Sequence, residues 1–570
     1  MLEPSLPNMA ISRVPVPKRP EFGPSHAAAK AYGAFYTDAQ IAEFLAWWGI
    51  RDPNETAFDP SFGGGVFLRA AAKRISALGG TPRNQIHGVE LDHVVHGSIS
   101  QKLGEEFSVP GDNLLQGDFF RVSEREHETF SAVLGNPPFI RYQKFNGESR
   151  AVALRQAATL GVKLSELSSA WAPFLVVSVS RVRIGGRLAM VVPMELCHAS
   201  YARPVLEYLG RSFERVTFLS FEQPLFPDLS ESTILLLAEN RGNHRAQFEQ
   251  KDFRHPGALA KLVGKEEIGI PATKLLASEQ LLSGKERFIE YLIPQKARML
   301  YSKLRGSDVT MKLGRIADVG IGYVSGANSF FHVGSEEISK WDIPASILKP
   351  IIRRSRGLRG ITLTKRDWRE HLRSGEASYL LHIESNQPLP SGVLAYIRAA
   401  EGEGVHLGYK CRNRSPWYCV PHVHRPDAFL SYMSTRSPRL VFNDAEVFAP
   451  NSLHVLRFSD KTAPAAQNLA CAWQTSLTRL SCELQGHALG GGMLKLEPTE
   501  AENVVLPRFL MRGDSSLELS TEIDSLLRAG KDEEAQEVAD KAILREKLNL
   551  TKADCATLNE ALASLQKRRL

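Results

Sequence analysis

The fold of this chain is decided by the stretch FDPSFGGGVFL at residues 58–68. Its apolar beginning is typical of a strand, its three glycines of a tight turn, and its end of a helix. Glycines at such a turn let the backbone approach a ligand closely and leave amide groups that face it. The spacing differs from that of a nucleoside triphosphate loop and no lysine follows, so a triphosphate site is disfavoured.

Short apolar runs alternate with helical patterns around this turn, from residue 56 to about residue 240. Strands separated by helices of about 10–15 residues indicate crossover units, so the pattern predicts an α/β fold with a mostly parallel, seven-stranded sheet. In such sheets ligands bind at the carboxyl ends of the strands. The predicted strands are residues 56–59, 86–91, 114–119, 131–134, 187–192, 216–221 and 233–238, and the clearest predicted helices are 66–78, 167–182 and 204–209.

The length of 570 residues exceeds what one hydrophobic core supports, so we expect two large domains and an appendage. The net charge of +7 favours a polyanionic partner, and the distribution of charge sharpens this expectation. Residues 349–373 contain nine Lys or Arg against two acids, with aromatic residues nearby. Residues 515–570 are charged and favour helix, without proline.

The sequence disfavours several classes of protein. The longest apolar run, residues 170–179, is about half of the ~20 residues that a transmembrane helix needs, and the proline-rich residues 1–24 lack the apolar segment of a signal peptide. The six cysteines form no C-x-x-C pair, so thiols in a reducing cytoplasm are a better interpretation than a zinc site. We therefore expect a soluble cytoplasmic protein that needs neither a membrane nor a metal.

Acidic residues stand at the ends of consecutive predicted strands: Asp59 at the first, Glu90 at the second and Asp118 at the third. An acid at the end of the second strand can accept hydrogen bonds from both ribose hydroxyls of a nucleoside. A carboxylate at residue 118 can accept from an adenine amino group while Phe119 packs on the purine face. Each acid alone is also explained as a strand-end or helix-capping residue, but the set of three predicts a nucleoside-containing cofactor.

The most specific stretch of the sequence is VLGNPPFI at residues 133–140, an apolar strand that ends in a rigid turn. Two prolines fix φ, and the first also restricts the asparagine before it. The side-chain oxygen of Asn136 and the carbonyl of Pro137 can then accept from one NH2 group, which draws electron density towards an amide-like nitrogen. Phe139 offers a flat face for a base. Together with Pro138 these residues predict a reacting centre, with a plain proline turn after a buried strand as the alternative.

This order of motifs resembles the gamma class of adenine-N6 DNA methyltransferases of type II restriction–modification systems, the Taq-type N6 adenine methylase family. The resemblance covers residues 33 to about 240. In that family a segment G-x-x-[YE]-T-P closes over the methionine part of the cofactor, and GAFYTD at residues 33–38 looks like it, with Asp38 in place of proline. The resemblance implies a Rossmann-like class I methyltransferase fold, the cofactor S-adenosylmethionine, and double-stranded DNA as the partner.

The functional positions of the family carry over to matching residues of this sequence. Residues 136–139 match its catalytic motif, with Phe139 where many relatives have tyrosine. The family also uses aromatic residues to hold the extruded base, and Phe174 and Phe226 match two such positions, although each is also explained as a core residue. The residues for which the resemblance implies a contact with the cofactor are Tyr36, Thr37, Asp59, Ser61, Gly63, Gly65, Glu90, Asp118, Phe119 and Pro138.

We expect direct in-line attack of N6 on the methyl group, with the target adenine flipped out of the duplex. No cysteine lies beside the motif, which disfavours cytosine C5 methylation. The C-terminal half would recognise the DNA, and its stretches GIGYVSGAN at 320–328 and GGGMLK at 490–495 look like segments of specificity domains in this class; tight turns of a β-rich domain are the alternative. The arginines predicted to contact phosphates, unless they form a solvated charged face, are Arg353, Arg354, Arg356 and Arg359.

Three alternatives stay open. A cytosine-N4 DNA methyltransferase uses similar chemistry, usually with Ser in place of Asn136. A glutamine-N5 protein methyltransferase shares the Asn-Pro-Pro turn but is typically much shorter, and a non-catalytic DNA-binding protein can retain the same fold. We expect a stand-alone methyltransferase, with any cognate restriction endonuclease encoded separately. The predicted division is an N-terminal extension at 1–30, the catalytic domain at 31–245, a target-recognition domain of mixed α/β structure at 246–510 and a helical segment at 511–570.

Overall fold

The computed structural model describes residues 37–140, 144–166, 168–198, 202–226, 232–265, 268–270, 273–385, 388–459, 466–489, 492–508 and 514–569. Tyr36, which the sequence assigns to the cofactor site, lies outside the described residues.

The first half of the chain folds around one sheet, in which the described residues form nine strands where the sequence predicts seven. The predicted strands are present, and the mostly parallel α/β fold is confirmed. The two additional strands follow residue 245, so the sheet continues past the predicted end of the catalytic domain. One of them reads QFEQKDF, with only two apolar residues, and so gives no strand pattern in the sequence. The strands are β1 (Ala57–Asp59), β2 (Ile86–Glu90), β3 (Leu114–Gln116), β4 (Phe130–Gly135), β5 (Val182–Pro193), β6 (Phe213–Phe221), β7 (Thr233–Arg241), β8 (Gln247–Phe253) and β9 (Lys274–Leu275).

The strand order in this sheet is β3-β2-β1-β4-β5-β7-β6-β8-β9. β7 is antiparallel to β5 and β6, and β9 is antiparallel to β8, while the other neighbours are parallel. The carboxyl ends of β1 to β6 and of β8 therefore lie along one edge of the sheet, here called the carboxyl edge. The amino ends of the same strands form the opposite edge.

Apolar side chains at alternating positions build a core on each face of the sheet. Phe58 and Val133 belong to the first core, whereas Ala57, Ala132 and Leu134 belong to the second, as the two-residue period of a strand requires. Helices between β4 and β6 cover the first core, and helices before β3 cover the second. The helices of this half are α1 (Ala39–Gly49), α2 (Val66–Ala77), α3 (His93–Phe107), α4 (Phe119–Arg125), α5 (Gly147–Thr159), α6 (Trp171–Ser180), α7 (Glu195–His198), α8 (Arg203–Ser212), α9 (Ser278–Leu282) and α10 (Gln295–Arg305).

Several predicted boundaries are wrong by a few residues, most of all at the fifth strand, which is predicted to begin at residue 187 and begins at Val182. The third strand, predicted over 114–119, ends at Gln116 because Asp118 caps α4 and accepts a hydrogen bond from the N–H of Phe120 at 2.9 Å. The helix predicted over 167–182 is α6, which ends at Ser180, and Val182 already begins β5. Continuous apolar sequence hides this change from helix to strand, because both elements are buried there.

The second half of the chain contains smaller sheets, which confirms the mixed α/β structure predicted for it. Its strands are β10 (Thr310–Lys312), β11 (Ala317–Ile321), β12 (His332–Val333), β13 (Leu348–Pro350), β14 (Thr362–Leu363), β15 (Tyr379–Leu381), β16 (Ala428–Ser431), β17 (Met433–Ser434), β18 (Leu440–Asn443), β19 (Leu453–Phe458), β20 (His487–Leu489), β21 (Met493–Lys495) and β22 (Val505–Pro507). Its helices are α11 (Asn328–Phe331), α12 (Ser335–Lys340), α13 (Lys365–Arg373), α14 (Ser391–Gly402), α15 (Tyr409–Arg412), α16 (Ala466–Trp473), α17 (Ser476–Gln485) and α18 (Pro498–Glu502).

The largest sheet of this half has the order β11-β19-β16-β18-β14, and the smaller ones are β12-β15-β13, β17-β21-β20 and β10-β22. The two stretches that resemble specificity segments lie in different sheets. Residues 320–328 begin in β11, and residues 493–495 are β21, with Gly492 directly before it.

The helical segment predicted after residue 511 is confirmed, as α19 (Asp514–Arg528), α20 (Asp532–Ala539), a π-helical turn (Asp540–Arg545) and α21 (Lys552–Arg569). It is not an appendage, however. Leu558, Leu562 and Leu565 of α21 are buried in the first core, together with Leu477 and Leu480 of α17. The first core thus continues from the nine-stranded sheet into α21.

Candidate active site

Four neighbouring strands, β3-β2-β1-β4, bring the predicted site residues to one stretch of the carboxyl edge. Asp59 ends β1 and Glu90 ends β2, while Asp118 follows β3 and Asn136 follows β4. Because these strands are parallel neighbours, residues far apart in the sequence become adjacent in space. Four of the residues predicted from separate motifs therefore lie on neighbouring strand ends.

The glycine turn between β1 and α2 is held against the end of β2. The N–H of Gly63 donates to Oε2 of Glu90 at 2.8 Å, and the N–H of Asp92 donates to Oε1 at 2.8 Å. Two backbone amides therefore fix the Glu90 carboxylate at the rim of the turn. Gly65 has a φ of +73°, and a Cβ at this position would lie 2.6 Å from Cγ2 of Ile99, so the turn requires glycine here.

Asp59 is fully buried and has one unsatisfied oxygen. Its Oδ1 accepts from the N–H of Ser61 at 3.0 Å, whereas Oδ2 has no hydrogen-bond partner among the described residues. Burial, reinforced by the nearby charge of Glu90, raises the pKa of Asp59 to about 8. Gly135 permits the close approach of β4, because a Cβ there would lie 3.0 Å from Oδ1. A buried carboxyl oxygen without a hydrogen-bond partner is costly, and such a group at the end of a parallel strand is typical of a ligand site.

Asn136 is oriented by Thr37. Its Nδ2 donates to Oγ1 of Thr37 at 3.3 Å, while Oδ1 is buried without a hydrogen-bond partner in the described part of the chain. The main-chain carbonyl of Asn136 lies 3.5 Å from Oγ of Ser61, which donates to it. The segment before α1 and the glycine turn thus both contact Asn136, and they leave one oriented acceptor at the carboxyl edge.

The remaining residues of the Asn-Pro-Pro-Phe turn join the two cores. Pro137 is buried, while Pro138 and Phe139 are half-buried, and the Phe139 ring packs against both cores. The N–H of Ala170 donates to the carbonyl of Ile140 at 2.9 Å, which ties the start of α6 to the end of the turn. The turn is therefore held from both sides.

Asp118 and Phe119 occupy the start of α4. Besides capping the helix, Asp118 accepts from the hydroxyl of Ser149 at 2.5 Å, a contact for which the sequence gives no signal. The Phe119 ring is buried, with its centroid 4.7 Å from that of Phe174 and 6.2 Å from that of Phe58. Phe174 itself is only 3% exposed, and its ring packs against that of Phe119 from the side of the first core.

Phe174 and Phe226 are not brought together. Phe174 belongs to the first core and Phe226 to the second, so the two rings lie on opposite faces of the sheet. Both are buried, and this packing accounts for them as core residues. Their contact with a substrate base stays a prediction.

The predicted arginines lie in the loop between β13 and β14. Arg354 and Arg359 are exposed and Arg353 is half-buried, whereas Arg356 forms an ion pair with Glu376. This loop and α13 line one cavity of about 400 Å³. α13 adds exposed basic residues that the predicted set omits, namely Lys365, Arg366, Arg369 and Arg373.

Within the described ranges, no three or more His, Cys, Asp or Glu side chains are grouped as a metal site would require, and the six cysteines are free thiols. No helix in the described part of the chain is long and apolar enough to cross a membrane. The expectations about metal and about location in the cell stay predictions.

Two family models match this chain. The model described as N-6 DNA Methylase matches residues 24–202, which include β1 to β4 and the Asn-Pro-Pro-Phe turn. The model described as Type II methyltransferase M.Eco57I, C-terminal domain, matches residues 285–544. These matches show an N6-adenine DNA methyltransferase of the restriction–modification type. This confirms the resemblance and the enzyme class, and it disfavours the cytosine-N4, glutamine-N5 and non-catalytic alternatives.

Relatives and a solved structure extend the similarity of this methyltransferase over most of its length. It is 21% identical to Type II methyltransferase M.AccI from Acinetobacter calcoaceticus, covering 83% of this chain and 84% of the relative. It is 22% identical to Type II methyltransferase M.XamI from Xanthomonas campestris pv. amaranthicola, covering 85% and 86%. The Type IIL restriction-modification enzyme MmeI, solved in complex with DNA, shares the fold at 14% identity and a TM-score of 0.55, over 93% of this chain and 75% of MmeI.

Proposed function

We propose that this methyltransferase transfers the methyl group of S-adenosylmethionine to N6 of an adenine flipped out of double-stranded DNA. The observation that carries the proposal is Oδ1 of Asn136, a buried acceptor without a partner among the described residues, oriented through Thr37. A buried acceptor is stabilised by a donor, and the exocyclic NH2 group of adenine supplies one. Cytosine N4 also supplies one, so the family match decides between the two bases.

The residues at the carboxyl edge fit S-adenosylmethionine. Oδ2 of Asp59 is a buried acceptor without a donor among the described residues, and the glycine turn brings backbone close to it. Glu90 would accept from the ribose hydroxyls, and Asp118 from the adenine amino group. The further residues that we assign to the cofactor are Tyr36, Thr37, Ser61, Gly63, Gly65, Phe119 and Pro138.

S-adenosylmethionine supplies a methyl group on a positively charged sulfur, which is already a strong electrophile. The protein therefore has to position and polarise the nitrogen. Oδ1 of Asn136 and the carbonyl of Pro137 would accept from the two N–H bonds of N6, so that electron density shifts to the nitrogen and its lone pair faces the methyl group. Phe139 would stack on the base and offset part of the cost of flipping it, which is a few kcal/mol.

The second half of the chain would bind the duplex through phosphates. Arg353, Arg354 and Arg359 carry charge without an ion pair in the described part of the chain, whereas Arg356 is engaged with Glu376. Phosphate contacts orient a protein on DNA and do not read its sequence. We further propose that the enzyme acts in the cytoplasm and protects DNA from a separately encoded restriction endonuclease, on the strength of relatives named type II methyltransferases.

Arg354→Ala and Arg359→Ala are each expected to weaken DNA binding to a similar degree on every sequence. Each would also reduce the slope of log affinity against log salt by about one, because one phosphate contact is lost. Arg356→Ala should change the slope less, since its guanidinium is paired with Glu376. Fluorescence anisotropy of a labelled duplex at several salt concentrations measures this. Arg245→Ala, which breaks an exposed ion pair with Glu279, is the control, and an unchanged slope in both test variants would contradict the assignment.

Incubation of the purified protein with DNA and isotope-labelled S-adenosylmethionine, followed by base-resolved mapping, tests the proposed function. Label in N6-methyladenine at one recurring sequence is the expected result. Label in N4-methylcytosine or in protein, or no transfer to DNA, would refute the proposal.

A further inference from the structure

The last turn of α21 contacts the carboxyl edge of the nine-stranded sheet. Arg568 forms a two-armed ion pair with Asp252 of β8, with Nη1 2.9 Å from Oδ1 and Nη2 against Oδ2. Nζ of Lys567 lies 3.5 Å from Oε2 of Glu222, the residue after β6. Because β6 and β8 are parallel to β1 and β4, both acids lie on the edge that carries Asn136. Four strand spacings, roughly 19 Å, separate β8 from β4 along this edge.

The acceptor of this ion pair is built into the sheet. Oγ of Ser220 donates to Oδ1 of Asp252 at 2.7 Å, and Nε2 of Gln250 donates to Oγ of Ser220 at 2.9 Å. Ser220 and Gln250 are fully buried, and the side chain of Arg568 is only 14% exposed. The contact therefore has a fixed direction, unlike an exposed ion pair between two mobile side chains.

The next residue of the same turn, Arg569, contacts the second half of the chain. The Arg569 side chain is 2% exposed and donates two hydrogen bonds, of 2.9 and 3.2 Å, to the carboxylate of Glu483 in α17. It also donates to the carbonyls of Thr435 at 2.9 Å and Arg436 at 2.8 Å, and to that of Gly492. Thr435 and Arg436 follow β17 and Gly492 precedes β21, so one guanidinium holds together two segments of the β17-β21-β20 sheet.

We infer that Arg568 and Arg569 are positioning residues, which fix the β17-β21-β20 sheet relative to the carboxyl edge and so set where the DNA target base meets Asn136. The planar guanidinium presents its donors in a rigid fork. Because the two adjacent arginines bind β8 and the β17-β21-β20 sheet, they fix the distance and the angle between these two parts of the chain. The burial of Leu562 and Leu565 in the first core stabilises the position of α21. The two arginines determine how the parts of the chain on either side of α21 are oriented. This inference rests on the proposed function.

Arg568→Ala tests the inference in the full-length enzyme. We expect kcat/KM on the recognised site to fall by about ten- to a hundredfold, since a displacement far from the reacting atoms is enough for such a loss. The preference for this site over one with a single changed base pair should narrow as well. The affinity for S-adenosylmethionine should stay within about twofold, because β1 to β4 are untouched. Arg568→Asp combined with Asp252→Arg restores the ion pair in reverse and should recover part of the preference.

Arg215→Ala is the matched control. Arg215 of β6 pairs with Glu239 of β7 and lies 3.5 Å from Glu249 of β8, so the variant removes an arginine that contacts β8 at the opposite edge of the sheet. If Arg568→Ala lowers thermal stability as Arg215→Ala does but leaves kcat/KM and site preference at wild-type values, the inference is wrong. Arg568→Lys keeps the positive charge but loses the two-armed geometry of the guanidinium. If Arg568→Ala does not fold, kcat/KM and site preference are measured on Arg568→Lys instead and judged in the same way. A wild-type enzyme that transfers no methyl to DNA would instead overturn the proposed function.

Discussion

Replacement of Asn136 by alanine is expected to lower kcat by about 10²- to 10³-fold while binding of S-adenosylmethionine and of duplex DNA persists. The variant removes the one buried side-chain acceptor that we assign to the N6 amino group, and loss of a single pre-oriented polar partner in an active site has an effect of this size. Because the acceptor acts chiefly on the reacting nitrogen, the effect should appear in the chemical step. Single-turnover methylation with labelled cofactor measures the rate of the chemical step. Titration calorimetry measures the affinities for S-adenosylmethionine and for duplex DNA.

Thr37→Val is the graded companion to this variant. It leaves Asn136 in place and removes only the oxygen, 3.3 Å away, that orients its amide, so a smaller loss than that of Asn136→Ala is expected. Both variants should unfold at temperatures close to that of the wild-type protein, because Asn136 is only half-buried and makes no other side-chain hydrogen bond in the described ranges. Methylation by Asn136→Ala at the wild-type rate would show that the reacting centre has been misassigned.

The clustering of the three acids that we assign to the cofactor site could be predicted, because parallel strands bring their carboxyl ends together. Asp59, Glu90 and Asp118 were recognisable from position alone, each at the end of an apolar run. The structure adds what position cannot give, namely the direction of each carboxylate. Glu90 is fixed by two backbone amides and Asp118 by a helix start, whereas Asp59 keeps one oxygen without a donor among the described residues.

Other features escaped the sequence for identifiable physical reasons. β8 has only two apolar residues, Phe248 and Phe253, and pairs with β6 through its backbone, so its sequence gives no strand signal. Phe174 matches a functional position by its neighbours in the sequence, but only packing shows that Phe119 and the first core bury it. The contact of Arg568 with Asp252 joins residues 316 positions apart, and no local pattern encodes such a pair.

The buried carboxyl of Asp59 places a cost on the folded state at neutral pH. Its pKa is about 8 in the folded protein and 3.8 in an exposed reference, so between these values the folded state holds more protons than the unfolded state. Stability therefore falls as pH rises from about 4 to about 8, by up to ~1.4 kcal/mol per pH unit, and the fall ends once the group is ionised in both states. A residue kept in place at such a cost fits a role in binding.

Asp59→Asn is accordingly expected to have two opposite effects. Above about pH 8, where Asp59 is ionised, it should weaken binding of S-adenosylmethionine by at least about tenfold, because hydrogen bonds to a charged acceptor contribute about 1.5–3 kcal/mol. It should also stabilise the ligand-free protein by a few kcal/mol at pH 8 and little at pH 4, because the amide need not ionise in a buried site. Urea unfolding at several pH values and calorimetric titration with the cofactor measure the two effects.

Asp540→Asn provides the comparison for this variant. Asp540 lies in the π-helical turn, far along the chain from the cofactor site, and burial raises its pKa to about 6. Its replacement should remove a pH dependence of stability that ends near pH 6, with no change in cofactor affinity. Asp59→Asn that binds S-adenosylmethionine as tightly as the wild-type protein would remove Asp59 from the cofactor site. Equal stability of Asp59→Asn and wild type at pH 8 would instead show that the carboxyl ionises without a burial penalty.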